Sequence, residues 1–353
     1  MISICIIAKD EESVVENCLS SLVPYGYEII FVDTGSTDRT KEIALKYTDK
    51  VYDFAWEEDF SAARNFAISK ASNDYILMID CDEVVTWFDK EKTEQLIEKY
   101  PDMVGRLLRV NEYMRQEDEF GMSEAVSRLF SKNLYKYSGP IHEQIVKIYG
   151  ERPRQYYSFP LSMTHSGYDG DMLTRKKKTI RNREMLLKQF SKNEKDDYIL
   201  YQLGKTYYME ADYENALLYF GKMMDLDLDP NLEYVQSSVN AYGYCLINSN
   251  QYEKALSLEK IYKTYSDYAD FVFLMGLVYM NNGMDEKAIA EFRKATTMDN
   301  AKSKGVNSFR AYYNIGLIYE NAGNIEKAKK YYSLSSNFVA AFNRLKELEA
   351  KEQ

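Results

Sequence analysis

The stretch YILMIDCD, residues 75–82, decides the fold class, because a short apolar run ends there in two aspartates one residue apart. Alternate residues of a strand point to the same side, so Asp80 and Asp82 can face one ligand while Cys81 faces the packing. Two carboxylates at a strand end can hold a divalent cation, which in turn can hold a diphosphate. Aspartate is also common in ordinary turns, so the neighbouring motifs must decide between the two interpretations.

Short apolar runs alternate with amphipathic segments around this stretch. The pattern predicts strands over 2–8, 28–33, 51–54 and 74–80, and helices over 13–22, 40–47 and 60–70. Such alternation favours a largely parallel α/β sheet, in which ligands bind at the carboxyl ends of the strands. We therefore expect the turns after Ala8, Val32 and Ile79 to converge, and residues 36–38 to cap the helix that follows them.

Length and composition bound the class of protein. A chain of 353 residues is long enough for two domains, and 45% apolar with 28% charged residues indicates a globular protein. The formal net charge of −10 argues against a general nucleic-acid or anionic-membrane partner, since both favour a basic surface. A phosphorylated substrate would therefore need a local cation.

The cysteines and the apolar runs indicate in which cellular compartment the protein is expected. Cys5, Cys18, Cys81 and Cys245 lie far apart without a C-x-x-C pair, which predicts buried, reduced thiols rather than disulfides or a zinc site. Residues 1–8 are apolar but lack a basic leader, and the run at 271–280 is too short to span a bilayer. We expect a cytoplasmic protein without an integral membrane segment.

A repeat begins near residue 198. Gly204, Gly243, Gly276 and Gly316 each precede an alanine by twelve positions. Small residues at this spacing let the two helices of a hairpin touch, and we expect the aromatic residues to fill the space between neighbouring hairpins. The pattern resembles tetratricopeptide repeats. It predicts a domain over 1–190 that includes a basic connecting helix, and a repeat domain over 191–353 that ends in a capping helix.

Four motifs of the first half resemble family 2 glycosyltransferases of the GT-A fold. They are IIAKDE at 6–11, VDTGSTDRT at 32–40, FSAARN at 60–65 and DCDE at 80–83, in the order of that family. With the repeats, the chain is similar to the subgroup that includes the sublancin-type peptide S-glycosyltransferases. The resemblance implies an α/β, Rossmann-like domain with a mostly parallel mixed sheet, followed by an all-α tetratricopeptide-repeat domain.

The resemblance also implies a nucleotide-sugar site. Its residues would be Ala8, Asp10, Glu11, Asp33, Arg64, Asp80, Cys81 and Asp82. The family usually has asparagine where this chain has Asp10, so the choice between Asp10 and Glu11 for the base or ribose stays open. For Arg64 the alternative is a surface ion pair with the acidic residues 57–59.

The resemblance implies a divalent metal, Mn²⁺ or Mg²⁺, with Asp82 and His165 as protein ligands. Oxygen and imidazole ligands with a bridging diphosphate suit these cations, and the ion would stabilise the leaving diphosphate. His165 belongs to the stretch HSGY at 165–168, which resembles a stretch of the repeat-bearing transferases. The alternative is a purely structural histidine.

The stretch GPIHEQ at 139–144 supplies the candidate catalytic residues. Glu143 is the candidate general base and His142 would position it or the acceptor; Asp82 and Glu83 are competing bases. A single displacement with such a base would invert the sugar's configuration. Arg128 is interpreted as a strand-edge charge.

These observations predict a metal-dependent inverting glycosyltransferase. It would move a sugar from a nucleotide sugar, expected to be a UDP-sugar, to a Cys or Ser/Thr side chain of a peptide or protein, such as a bacteriocin. The repeats would bind the acceptor or form a homodimer. The alternatives are a transferase acting on a lipid or polysaccharide, and an inactive scaffold that binds proteins through its repeats.

Overall fold

The computed structural model describes residues 1–115, 118–165, 172–335 and 338–350, and the side chains of these residues outside 108–124 and 165–178. The chain divides into two compact units. One comprises residues 1–109 with 124–185, and the other comprises residues 110–123 with 186–353. The sequence-based boundary between residues 190 and 191 stays a prediction.

The first unit contains the sheet and the helices that cover it. Its strands are β1 Ile2–Ala8, β2 Glu28–Asp33, β3 Val51–Asp53, β4 Tyr75–Met78, β5 Glu83–Phe88, β6 Val104–Arg115, β7 Asp118–Ser131, β8 Tyr135–Ser138, β9 Gln144–Lys147, β10 Tyr156–Ser158 and β11 Leu161–His165. Its helices are α1 Val15–Leu22, α2 Thr40–Ala44, α3 Phe60–Lys70, α4 Lys90–Lys99 and α5 Met172–Phe190, with a 3₁₀ helix over Val23–Tyr25. The end of β6, the start of β7 and the end of α5 belong to the second unit.

Seven strands form a mixed sheet in the order β10-β6-β7-β4-β1-β2-β3. β1 pairs in parallel with both β2 and β4, β2 pairs in parallel with β3, and β7 runs antiparallel to β4. Alternate residues of β1 enter two different cores: Ile4 packs on one face of the sheet and Cys5 on the other. The predicted α/β domain with a mostly parallel sheet is confirmed.

The structure agrees with several predicted bounds and corrects others. The predicted bounds of β1, β2 and α3 hold, whereas α1 begins two residues late and β3 and β4 are shorter than expected. The helix predicted over 40–47 ends at Ala44. Of the three predicted capping residues, Asp38 accepts from the N–H of Thr40, the first residue of this helix, at 2.9 Å. The side chains of Ser36 and Thr37 instead join two turns, as described below.

The second unit is a series of helical hairpins. Its helices are α6 Asp197–Met209, α7 Tyr213–Met224, α8 Glu233–Asn248, α9 Tyr252–Ala255, α10 Tyr262–Tyr265, α11 Ala269–Asn281, α12 Asp285–Ala295, α13 Phe309–Asn321, α14 Ile325–Ser333 and α15 Val339–Ala350, with a 3₁₀ helix over Leu256–Ile261. α15 occupies the predicted place of the capping helix.

The repeated glycines lie where two helices of a hairpin touch. A Cβ atom on Gly204 would lie 2.6 Å from the ring of Phe220, and one on Gly276 would lie 2.6 Å from the ring of Phe292. Gly316 meets Tyr332 in the same way. These three aromatic residues therefore pack inside their own hairpin, contrary to the expectation. Tyr234 of α8, by contrast, contacts Tyr198 and Tyr201 of α6 across neighbouring hairpins, as expected.

Two further sequence predictions concern the cysteines and membrane segments. All four cysteines are buried and free of disulfides. Within the described residues, none of the helices has both the length and the apolar character needed to cross a bilayer.

Candidate functional site

The ends of three parallel strands meet at one edge of the sheet. Ala8 and Asp33 are register partners in the β1–β2 pair. The Ile79 N–H donates to the Cys5 carbonyl at 3.1 Å, which carries the chain just beyond β4 past the same edge. Thr34 donates its N–H and its hydroxyl to the Ala8 carbonyl at 2.9 and 3.1 Å. The three turns therefore meet at this edge, as predicted.

Asp10 joins the first turn to the second. Its Oδ1 accepts hydrogen bonds from the Thr37 N–H at 2.7 Å and from the Thr37 hydroxyl at 3.1 Å, and its own N–H donates to Ser36 Oγ at 3.0 Å. Asp10 adopts a left-handed backbone conformation with φ 54°, which aspartate tolerates better than most residues. Glu11 lies half-buried beside this link, and its N–H donates to Thr40 Oγ1 at 2.7 Å.

Asp33 is buried at the end of β2, with 4% of its surface exposed. Its Oδ2 accepts from the N–H groups of Gly35 and Ser36 at 3.2 and 3.0 Å, which shapes the turn. Its Oδ1 is buried and has no hydrogen-bond partner within the described part of the chain. A buried acceptor without a donor is costly, so this oxygen is ready to accept from a hydroxyl or N–H of a ligand.

Asp80 is held between two arginines. Its Oδ1 accepts from Arg64 Nη2 at 2.7 Å and its Oδ2 from Arg128 Nη2 at 2.6 Å. Glu83 completes the cluster: its Oε1 accepts from Arg128 Nη2 at 2.6 Å and its Oε2 from the Asp80 N–H at 2.9 Å. Both carboxylate oxygens of Asp80 are thus engaged with cations.

The two acids of this cluster have opposite pKa shifts. Burial alone would raise the pKa of Asp80, but the charges of Arg128 and Arg64 outweigh it and hold that pKa well below its usual range. Burial raises the pKa of Glu83, and the nearby Asp80 opposes the lowering effect of Arg128. Since both oxygens of Glu83 accept hydrogen bonds from N–H donors, the geometry favours its ionised form.

Arg64 also contacts the candidate base. Its Nε donates to Glu143 Oε1, and both side chains are almost completely buried. The alternative of a surface ion pair with residues 57–59 does not hold, because Asp59 instead caps α3 by accepting from the Ala62 N–H at 2.9 Å. The next residue, Asn65, makes two 2.9 Å hydrogen bonds with the backbone of Tyr137, which fixes α3 against β8.

Arg128 is the site residue that sequence reasoning missed. It was interpreted as a strand-edge charge, yet it lies in β7 with 6% of its surface exposed and contacts two carboxylates. A guanidinium within the strand segment Ser127-Arg128-Leu129-Phe130, beside two fully buried apolar residues, must be paired when it is buried. That local pattern was the signal available in the sequence.

The predicted metal ligands lie just before the start of β5 and at the end of its partner strand β11. β5 and β11 pair antiparallel, and His165 is the register partner of Glu83, one residue from the half-buried Asp82. The side chain of His165 lies outside the described residues. Among the side chains that are described, no group of three or more His, Cys, Asp or Glu residues could hold a metal ion.

The remaining predicted residues occupy different surroundings. Cys81 is buried within the core on one face of the sheet, as the alternation of the strand end predicts. His142 is exposed and adopts a left-handed conformation with φ 49°, immediately before Glu143. The structure therefore brings Arg64 into direct contact with Asp80 and Glu143, while Asp33 lies at the end of β2, which β1 separates from β4.

Comparison with known families identifies both halves of the chain. Residues 3–140 match the family model described as Glycosyl transferase family 2. The first unit contains a family 2 glycosyl transferase domain. Residues 269–302 and 309–335 match the model of the tetratricopeptide repeat, so the hairpins α11–α12 and α13–α14 of the second unit are tetratricopeptide repeats.

Two curated relatives share long stretches with this chain. A TPR repeat-containing protein of Synechococcus elongatus is 29% identical over 61% of this chain and 54% of its own length. The SPbeta prophage-derived glycosyltransferase SunS of Bacillus subtilis is 26% identical over 67% of this chain and 53% of its own length. The chain spans about half the length of these relatives. Among solved structures, the MamA protein matches 46% of this chain and 84% of its own with a TM-score of 0.39 and 24% identity.

Proposed function

We propose that the protein is a glycosyltransferase that moves a sugar from a nucleotide sugar to a peptide or protein side chain. The observation that carries the proposal is the contact of Arg64 with Asp80 and with Glu143. Arg64 and Asp80 belong to the stretch that matches the family 2 glycosyl transferase model, and Glu143 lies three residues beyond its end. These residues come from three separate motifs, and Arg64 and Glu143 are 79 positions apart in the sequence. A purely structural role would not require all three at the ligand-binding edge of the sheet.

Unpaired buried atoms support a donor site at this edge. Asp33 Oδ1 is an acceptor, and Arg64 Nη1 and Arg128 Nε are donors, each buried without a partner within the described residues. A free carboxylate oxygen suits a ribose hydroxyl or a base N–H, while guanidinium N–H groups suit phosphate oxygens. In this assignment Asp33 binds the nucleoside and Arg64 faces the diphosphate.

The other predicted donor-site residues have smaller roles in the proposal. Asp10 supports the turn, which leaves Glu11 as the better candidate for a direct contact with the nucleoside. Ala8 and Cys81 contribute backbone at the same edge.

Two of the residues present, Asp82 and His165, suit a divalent cation better than Asp80 does. Asp80 is unsuited as a ligand, since both its carboxylate oxygens pair with arginines. Asp82, in the turn before β5, and His165, the register partner of Glu83 in the β5–β11 pair, would hold Mn²⁺ or Mg²⁺ together with oxygens of the diphosphate. The bound ion would neutralise the charge of the leaving nucleoside diphosphate.

The proposed reaction is one displacement at the anomeric carbon. Glu143 accepts the proton of an acceptor thiol or hydroxyl, whose sulfur or oxygen then forms the new bond to the anomeric carbon. The bond from that carbon to the diphosphate oxygen breaks, and the electron pair leaves with the nucleoside diphosphate. Attack from the face opposite the leaving group inverts the configuration. Asp82 and Glu83 are the competing bases, but Glu83 is 1% exposed and paired with Arg128, which disfavours it.

The second unit bears on the identity of the acceptor. Tetratricopeptide repeats are typical of protein interaction, so a peptide or protein acceptor suits the second unit better than a lipid or polysaccharide. A UDP-sugar as donor, a bacteriocin as acceptor, a homodimer formed through the repeats and a cytoplasmic location remain predictions from the sequence. An inactive scaffold is the competing function of a different class.

A donor panel tests the proposal. Purified protein with Mn²⁺ or Mg²⁺ is incubated with UDP-, GDP- and TDP-sugars, and release of nucleoside diphosphate is measured with and without cysteine- and serine-containing peptides. We expect turnover with at least one UDP-sugar that increases when an acceptor peptide is present, with the sugar found on that peptide by mass spectrometry. Absence of both binding and turnover across the panel would favour the scaffold.

A further inference from the structure

The three guanidinium nitrogens of Arg64 have different surroundings. Nη2 donates to Asp80 at 2.7 Å, Nε donates to Glu143, and Nη1 is buried without a partner among the described residues. A guanidinium is planar and rigid, so fixing two of its N–H groups fixes the direction of the third. The position of Glu143 is thereby linked to the strand end that carries Asp80.

The elements around Arg64 hold this geometry from both sides. Asn65 holds α3 against β8 through its two hydrogen bonds with the backbone of Tyr137. The Phe60 N–H donates to the Pro140 carbonyl at 2.9 Å. Pro140 begins the short turn that ends in Glu143. The ring of Tyr137 also lies 5.4 Å from the Arg64 guanidinium. Neither the helix nor the turn can shift without moving the Arg64–Glu143 pair.

The two carboxylates depend on Arg64 to different degrees. Asp80 keeps Arg128 as a second partner if Arg64 is removed, since Arg128 contacts its other oxygen. For the Glu143 carboxylate, Arg64 is the cationic partner that the described residues provide. Loss of Arg64 therefore affects the orientation of Glu143 more than that of Asp80.

We propose that Arg64 is a positioning residue for Glu143, in addition to its expected contact with the donor. The same guanidinium holds the proton-accepting carboxylate and presents Nη1 to the donor side, so the base is oriented relative to the donor by one rigid group. The inference rests on the proposed function, because it assigns Glu143 the role of base. It adds a role that binding of the diphosphate alone would not require.

Kinetics at saturating donor separate this role from donor binding. Lysine keeps the charge but has one nitrogen on a flexible stem, so Arg64→Lys cannot bind Asp80 and Glu143 as a fork does. We expect Arg64→Lys to lower kcat by about 100-fold, within the range of general-base effects, with a change in donor KM below about 5-fold. A rise in donor KM with kcat unchanged would overturn the proposal and leave only a donor contact.

A double-mutant cycle provides the second measurement. If Arg64 acts through Glu143, then Arg64→Lys combined with Glu143→Gln should lose no more kcat than Glu143→Gln alone. Additive losses would overturn the proposal. Lys41→Gln, which removes an exposed cation that pairs with Asp53 in the same unit, is the control and should keep wild-type kinetics.

Folding is monitored in parallel by thermal unfolding. If Arg64→Lys fails to fold while Glu143→Gln folds, Arg64 is structural and the positioning role is wrong. Absence of transfer by the wild-type protein would refute the proposed function itself, a result distinct from either kinetic outcome.

Discussion

Charged side chains lie at both ends of the strands in the central sheet, but among the described residues buried polar atoms without partners occur at one of these ends. At the N-terminal ends of β1 and β2, Glu28 accepts from Ser3, Lys50 and Ser72. At the opposite edge, Asp33, Arg64 and Arg128 each retain a buried atom without a partner within the described chain. A satisfied cluster stabilises the fold, whereas an unsatisfied one is suited to a ligand. The contrast distinguishes a structural network from a binding site within one sheet.

The largest expected effect is on catalysis, at the unsatisfied edge. Replacing Asp82 by Asn removes a proposed metal ligand, and sugar transfer should fall by more than about 100-fold while the unfolding temperature stays near that of the wild type. Transfer rate and thermal unfolding are the measurements. Asp53→Asn, on the exposed end of β3, is the matched control. Full activity of Asp82→Asn, or of the wild type in excess chelator, would contradict the metal role.

Removal of Arg128 tests whether the site cluster also contributes to stability. Arg128→Met should lower the free energy of unfolding by about 3–5 kcal/mol, because it leaves the buried Glu83 without its cation. Urea unfolding measures the change. The double variant Arg128→Met with Glu83→Gln should recover part of the loss. If the single variant is as stable as the wild type, Arg128 is not a buried partner of Glu83.

The satisfied edge should make stability depend on pH. Burial alone would raise the pKa of Glu28, but hydrogen bonds from Lys50, Ser3 and Ser72 outweigh it and lower the pKa to about 2. A carboxyl whose pKa is lower in the folded state stabilises the fold above its ordinary pKa near 4.5. We therefore expect about 2–3 kcal/mol of stability to be lost between about pH 5 and pH 2.

The control for this pH dependence is Glu28→Gln. That variant should be less stable at pH 7 and should show a flatter decline between pH 5 and pH 2, as followed by urea unfolding at each pH. An unchanged decline would mean that other carboxylates cause it.

The smallest expected change in stability concerns the repeats, whose stability depends on side-chain packing rather than on charge. Gly276→Ala places a Cβ atom 2.6 Å from the ring of Phe292 and should lower the free energy of unfolding by about 1–3 kcal/mol. Gly221→Ala, inside α7, meets its nearest neighbour only at 4.0 Å and should raise it by up to about 1 kcal/mol, because alanine is the better helix former. Equal effects of the two substitutions would contradict the close packing at Gly276.

Sequence reasoning succeeded where the pattern is local. The bounds of β1, β2 and α3 follow from apolar runs and an aspartate cap, and the glycine–alanine frame locates the hairpins of the repeats. It missed Arg128 because the burial of a strand residue depends on Asp80 and Glu83, which lie 48 and 45 positions away. It also made no strand prediction for β5 to β11, whose pairing joins distant segments such as Leu161 and Phe88.

Asp10 shows a different limit of sequence reasoning. Its motif indicated a ligand contact, but its left-handed backbone turns the carboxylate toward Thr37 in the next turn. In the proposed site, a residue that supports the turn and a residue assigned to the ligand occupy adjacent positions, Asp10 and Glu11. The spacing of a motif alone does not separate them, since a single backbone dihedral decides which side chain faces the site.

The consecutive positions of Arg64 and Asn65 in α3 limit where the chain can gain or lose residues. Successive helical residues point about 100° apart, so one faces the carboxylates while the other binds the backbone of Tyr137. One inserted residue in the first turns of α3 would rotate one of these side chains out of place. The repeats differ, because their unequal spacing places extra residues between hairpins while the glycine–alanine distance stays constant. Length variation is therefore tolerated in one half of the chain and excluded from the helix that organises the site in the other.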